Sequence, residues 1–147
     1  MGDQELAESP ASAHEPFEDE ALLPEQAYWV GFHHVKFIGP ARLRRLLDTF
    51  GSLERAWHAS PTELRRCLEE RSIRELLETR AALDLSAVMA GLEQSGARVT
   101  VLADDGYPAL LREIPAPPPV LYYRGELIET DRNAVAIVGT RRMTPYG

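Results

Sequence analysis

Hydrophobic spacing changes character near Gly96, and the change divides the chain into two kinds of structure. Before it, apolar residues recur at helical intervals. Leu43, Leu46, Leu47 and Phe50 stand at i, i+3, i+4 and i+7, opposite Arg42, Arg44, Arg45 and Asp48. After it come short β-branched or aromatic runs, residues 99–102 and 120–125, separated by proline-rich chain. A chain of 147 residues patterned this way is expected to be α+β: an all-α bundle over residues 27–96, then the first strands of an α/β unit over residues 97–147.

Within the helical part, Tyr28, Trp29, Phe32 and Val35 share one face despite Gly31 among them, which predicts a first helix. The segment Val35-Lys36-Phe37-Ile38-Gly39-Pro40-Ala41-Arg42 is expected to stop that helix at glycine. A second helix then starts with Pro40, tolerated in a first turn because its missing N–H has no intrahelical partner. Gly51 is a plausible terminator, and a short helix follows over residues 53–58. Ser60-Pro61-Thr62-Glu63 carries a cap residue, a first-turn proline and an acid three positions after the cap. Ile73, Leu76 and Leu77 form another stripe, and Leu85, Val88, Met89 and Leu92 form one that ends near Gly96. Five or six short helices result. Trp29 and Trp57 fall on core stripes, and Cys67 reads as a small packed residue.

Charge is unevenly placed. The net charge of −7 arises from 16 basic and 23 acidic residues, but eight acids and no Lys or Arg lie in residues 1–26, so the remainder carries +1. That tail also holds Pro10, Pro16 and Pro24 and few large apolar residues, and is expected to be a disordered acidic arm, either solubilising or mimicking nucleic acid. The body therefore remains open to anionic partners, and all its basic residues but Lys36 are arginine, the better bidentate phosphate ligand. No apolar run reaches the roughly 20 residues needed to cross a bilayer, and the acidic N-terminus lacks the basic flank of a secretory signal. A cytoplasmic protein with no membrane partner is the expectation. One cysteine excludes an intramolecular disulfide, and neither His33-His34 nor any Cys/His spacing suits a metal; no metal site and no cofactor are expected.

After Gly96 the strand at residues 99–102 runs into the turn Ala103-Asp104-Asp105-Gly106, where Asp serves local backbone hydrogen bonds. A short helix opened by Pro108 follows, then a stiff connector containing Pro115 and Pro117-Pro118-Pro119. Residues 133–138 form a continuous apolar run, the pattern of a strand buried on both faces of a parallel sheet. Directly behind it stands Gly139-Thr140-Arg141-Arg142-Met143-Thr144-Pro145-Tyr146-Gly147. Chemically this is an anion site: a glycine for close backbone approach, two guanidinium groups, and Thr144-Pro145 suited to starting a helix whose positive end faces the ligand. The alternative is an exposed turn on which the arginines are merely displayed. It is neither the Gly-x-Gly-x-x-Gly fingerprint, since Arg141 occupies the second glycine position, nor a Walker loop.

Two resemblances follow from these residues. Ile38-Gly39-Pro40-Ala41 before an amphipathic helix resembles the hairpin of helix-hairpin-helix domains, which would place backbone N–H groups near Gly39, Ala41 and Arg42 against a DNA phosphate. The usual second glycine is Ala41 here, and residues 67–73, which would supply a second hairpin, contain no glycine; a bundle kept for protein contacts or as a spacer is the competing reading. More specifically, Tyr107-Pro108-Ala109-Leu110-Leu111, Pro118-Pro119-Val120-Leu121-Tyr122 and the segment from Val135 to Gly147 stand in the order and spacing of the DNA-processing protein A family, DprA or Smf.

That resemblance implies a sterile-alpha-motif-like (SAM-like) helical domain followed by the opening of a Rossmann-like domain. It also implies single-stranded DNA binding without marked sequence preference, homodimerisation, and recruitment of the RecA recombinase during natural transformation. No catalytic residue is implied. The family's Gly-Ser/Thr-Arg turn maps onto Gly139, Thr140 and Arg141, with Arg142 and Thr144 beside it, and Arg141 is the expected phosphate contact. Because the sequence stops at Gly147, it is expected to be a fragment or truncated reading frame, with the homodimer surface lost and residues 134–147 poorly ordered or packed unlike the family. Two other classes stay in view. A Rossmann-like nucleotide-phosphate hydrolase uses a similar turn but needs a downstream glycine-rich loop with a catalytic acid, and the helical part could be a protein-interaction module that touches no DNA.

Overall fold

A computed structural model of the chain describes residues 23–128 together with Val135. Its architecture is α+β, as the spacing predicts. Six helices come first: α1 (Glu25–His34), α2 (Pro40–Phe50), α3 (Leu53–His58), α4 (Pro61–Leu64), α5 (Glu70–Ala82) and α6 (Leu85–Gln94). Strand β1 (Arg98–Val101), the short helix α7 (Ala109–Arg112) and strand β2 (Val120–Tyr123) follow. The two strands pair antiparallel, Arg98 opposite Tyr123 and Val101 opposite Val120. The parallel-sheet expectation rested on residues 133–138, which lie outside the described residues apart from Val135, itself exposed. Residues 1–22 of the arm expected over 1–26, and the expected turn 139–147, also lie outside them.

Helix α1 is the axis of the core. Six consecutive residues, Ala27 to Phe32, are buried, so the helix is covered all round rather than along one stripe. Phe32 meets Trp57 edge to face at 5.3 Å. Gly31 is required for packing, not for backbone freedom: a Cβ there would sit 2.9 Å from both Leu85 Cδ2 and Trp57 Cζ3. Val101 of β1 and Val120 of β2 belong to the same buried cluster as Leu46, Leu53, Leu64 and Leu76. The ribbon therefore closes the core that the helices begin. Trp29 and Trp57 are core residues, and Cys67 packs partly buried against the cluster, as expected.

Local signals set the helix ends. The Ser60 hydroxyl accepts the Glu63 N–H at 3.4 Å, and Glu63 returns a carboxylate oxygen to the Ser60 N–H at 2.8 Å, a complete capping box. Ser52 caps α3 and Asp84 caps α6 in the same sense. Gly51 ends α2 at φ 81°, donating its N–H to the Leu47 carbonyl.

Two boundaries differ from expectation. Helix α1 begins at Glu25, inside the segment read as acidic tail. The reason is long-range: Glu25 Oε1 accepts the Leu53 N–H at 2.7 Å and Oε2 the Glu54 N–H at 3.4 Å, so this acid caps α3 from another helix. The first helix also ends before the expected glycine. α1 stops at His34, the buried Val35 and Ile38 anchor the loop, and the left-handed reversal falls on Phe37 at φ 65°. Gly39 instead is the extended N-cap of α2.

Three exposed carboxyls are held below the usual carboxylate range. Glu63 is lowered first by the Ser60 hydroxyl, Glu69 by the Arg42 guanidinium, and Glu70 by the Arg65 guanidinium. A depressed folded-state pKa contributes stability above the ordinary carboxylate range and loses it as pH falls through that range. The Tm should therefore decrease on acidification from about pH 6 to about pH 3. Scanning calorimetry checks this, and a level or rising Tm would contradict it.

Candidate nucleic-acid interface

The hairpin between α1 and α2 brings Lys36, Phe37, Gly39, Pro40 and Ala41 to the surface. The Gly39 carbonyl accepts from both Arg42 and Leu43 N–H at 3.0 Å, which fixes the first turn of α2. A Cβ on Gly39 would meet nothing within 4 Å and its φ is −93°, so the fold itself does not demand glycine there. Of the three hairpin residues expected to approach a phosphate, Gly39 and Ala41 lie together at an exposed helix start. Arg42 turns elsewhere: its Nε and Nη2 both donate to Glu69 Oε2, at 3.0 and 2.8 Å.

The second stretch considered for a hairpin, residues 67–73, does lie beside the first. Glu69 holds Arg42, and Arg71 places its guanidinium carbon 3.5 Å from the centre of the Phe37 ring. Arg65 Nε donates to Glu70 Oε1 at 2.5 Å. A groove of about 360 Å³ between α2 and the α4–α5 region is lined by Arg45, Arg65 and Arg66 but also by Asp48 and Glu69. Its mixed charge makes it a poorer anion site than three arginines alone would be.

On the opposite side of α2, a groove of about 290 Å³ runs between Arg44 and Leu47 and the proline connector at Pro115, Pro117 and Pro119. Trp29 contributes to it, and the buried Trp29 Nε1 finds no acceptor. Asp104, read as a turn residue, does accept the local Val101 N–H at 2.9 Å. The same oxygen also accepts from Thr100 Oγ1 at 3.1 Å and from Gln26 Nε2 at 2.9 Å, tying the turn to α1. The sequence reading missed that long-range role, as it missed Phe37. His33 meets Tyr122 edge-on at 5.9 Å. Gly139, Thr140, Arg141, Arg142 and Thr144 lie outside the described residues.

Comparison with known proteins bears on that segment. The family model described as "DNA recombination-mediator protein A" matches residues 98–147, which include β1, α7, β2 and the sequence Gly139-Thr140-Arg141-Arg142. The curated "Protein Smf" of Synechocystis sp. is 38% identical over 129 residues, which cover 84% of this chain. The chain belongs to the DNA-processing protein A family, DprA or Smf. It spans 32% of that DprA/Smf relative's length. No solved structure matches the chain. Membership extends over helices as well as strands, since the matched 129 residues exceed the stretch after Gly96. Among the described residues no helix is long and apolar enough to cross a membrane.

Proposed function

We propose that this chain is the N-terminal part of a cytoplasmic, single-stranded-DNA-binding recombination mediator that delivers incoming DNA to RecA during natural transformation, without a catalytic step of its own. The match of the recombination-mediator family to residues 98–147 carries the reading. Within that match, Gly139-Thr140-Arg141-Arg142 supplies the chemistry: close backbone approach at Gly139, a hydroxyl on Thr140, and guanidinium forks on Arg141 and Arg142. Contacts of this kind hold a phosphate without reading a base, which suits binding that is indifferent to sequence. Homodimerisation belongs to the same proposal for the intact family member.

The test is fluorescence anisotropy of labelled oligothymidine with the full 147-residue chain. Arg141→Ala should weaken binding several-fold while leaving the Tm unchanged. Equal affinity of the two proteins would remove Arg141 from the interface.

A further inference from the structure

We propose that Phe37 and Arg71 form a stacking platform for one base of single-stranded DNA on the helical part of the chain, a second set of contact residues besides 139–144. The proposal rests on the single-stranded-DNA reading above and adds to it a site, residues and a mode of contact.

Phe37 is the only non-glycine residue at positive φ among the described residues, at 65°, a conformation that bulky side chains rarely adopt. Glycine or asparagine would sit there with less strain. Phe37 is 39% exposed, whereas Val35 and Ile38 on either side are 4% and 7% exposed. The loop thus buries its aliphatic residues and holds its aromatic one outward. Arg71, in the first turn of α5, lies over one face of the ring at 3.5 Å, so that face is covered and a base would continue the stack on the guanidinium plane or on the exposed remainder of Phe37.

The surrounding charge favours a polyanion. Lys36, Arg71 and Arg74 are exposed, and among the described residues none has a carboxylate within 4.0 Å. The nearby acids are engaged: Glu69 with Arg42 and Glu70 with Arg65, although Glu70 also feels Arg74 at longer range. A protein partner would ask for a broader apolar surface than one ring. An exposed aromatic ring with Arg71 stacked on it and Lys36 next to it in the chain suits a base that continues the stack with its phosphate near Lys36. No base-edge donor or acceptor is needed, so the contact would tolerate any base.

The test compares labelled oligothymidine with an abasic strand of the same length, using the full chain. Phe37→Asn keeps a residue that tolerates the left-handed backbone and removes the ring; Phe37→Trp keeps a stacking face. The expected result is a roughly tenfold loss of oligothymidine affinity for Phe37→Asn, with abasic binding and Tm unchanged and near-normal affinity for Phe37→Trp. Oligothymidine binding by Phe37→Asn equal to wild type would overturn the platform. So would a parallel fall in Tm and abasic affinity, which would make the ring a structural cover. If Phe37→Asn binds normally while Arg141→Ala does not, the platform alone fails. If the unaltered chain binds neither strand, the single-stranded-DNA reading fails with it.

Discussion

Replacing Asp104 with alanine is expected to lower the unfolding free energy by about 2–4 kcal/mol, because three donors lose one shared acceptor. Its Oδ2 receives the Val101 N–H, the Thr100 hydroxyl and the Gln26 amide. Thr100 is only 5% exposed, so its hydroxyl has little access to replacement water. The contacts made by the Asp104 backbone carbonyl, to Tyr107 N–H and the Arg112 guanidinium, survive the change and cannot compensate. For a folded unit of this size the Tm should fall by about 10–20 °C. Asp104→Asn retains one acceptor oxygen and should fall between the two. Thermal unfolding followed by circular dichroism checks the series, and a loss of under about 1 kcal/mol for alanine would show that the carboxylate does not join α1 to the ribbon.

Gly31→Val is expected to cost about 3 kcal/mol, at the upper end for overpacking in a closed core. The first added atom would already stand 2.9 Å from the Trp57 ring and from Leu85 Cδ2, and branching at Cβ adds two more atoms in the same space. Leu85 can move its terminal methyl, but the Trp57 ring is held between α1 and α3 and packs on Phe32. Gly31→Ala sets a helix-propensity gain of about 1 kcal/mol against a smaller clash, so its net loss should be well below that of valine. Urea denaturation separates the two variants, and a valine variant as stable as wild type would contradict the close packing of α1.

The contrast between these two positions shows what spacing reveals. Gly51, Ser60-Pro61-Thr62-Glu63 and Gly96 marked the end of α2, the start of α4 and the end of α6, and helices α2, α5 and α6 were legible from their apolar stripes. The burial of α1 on every side was not, since Gly31 reads as a weakness in a helix until Trp57 and Leu85 are seen against it. Glu25 and Gln26 were assigned to the tail by composition. Their bonds run to residues 53 and 104, separations that no local pattern encodes. Both strands were legible, but their antiparallel partnership depends on the proline connector turning back, with the Tyr107 hydroxyl on the Pro118 carbonyl at 2.8 Å.

The candidate interface divides in the same way. Residues 139–144 could be proposed from residue types alone, because glycine and paired arginines carry their chemistry with them, although they lie outside the described residues. Phe37 could not, because the Gly39-Pro40 pair two residues on draws the expected turn to itself. Only the fold shows that the reversal lies earlier and that Arg71 comes from the neighbouring helix to cover the ring.

Salt dependence tests the central claim most directly. Anisotropy titrations of labelled oligothymidine over a series of salt concentrations should give a straight fall of log affinity with log salt, because bound phosphates release counterions. Arg141→Ala should weaken binding and reduce the magnitude of that slope by about 0.7, the share of one phosphate on a single strand. An affinity that does not change with salt, or an Arg141→Ala slope identical to wild type, would contradict phosphate binding at the Gly139-Thr140-Arg141 turn.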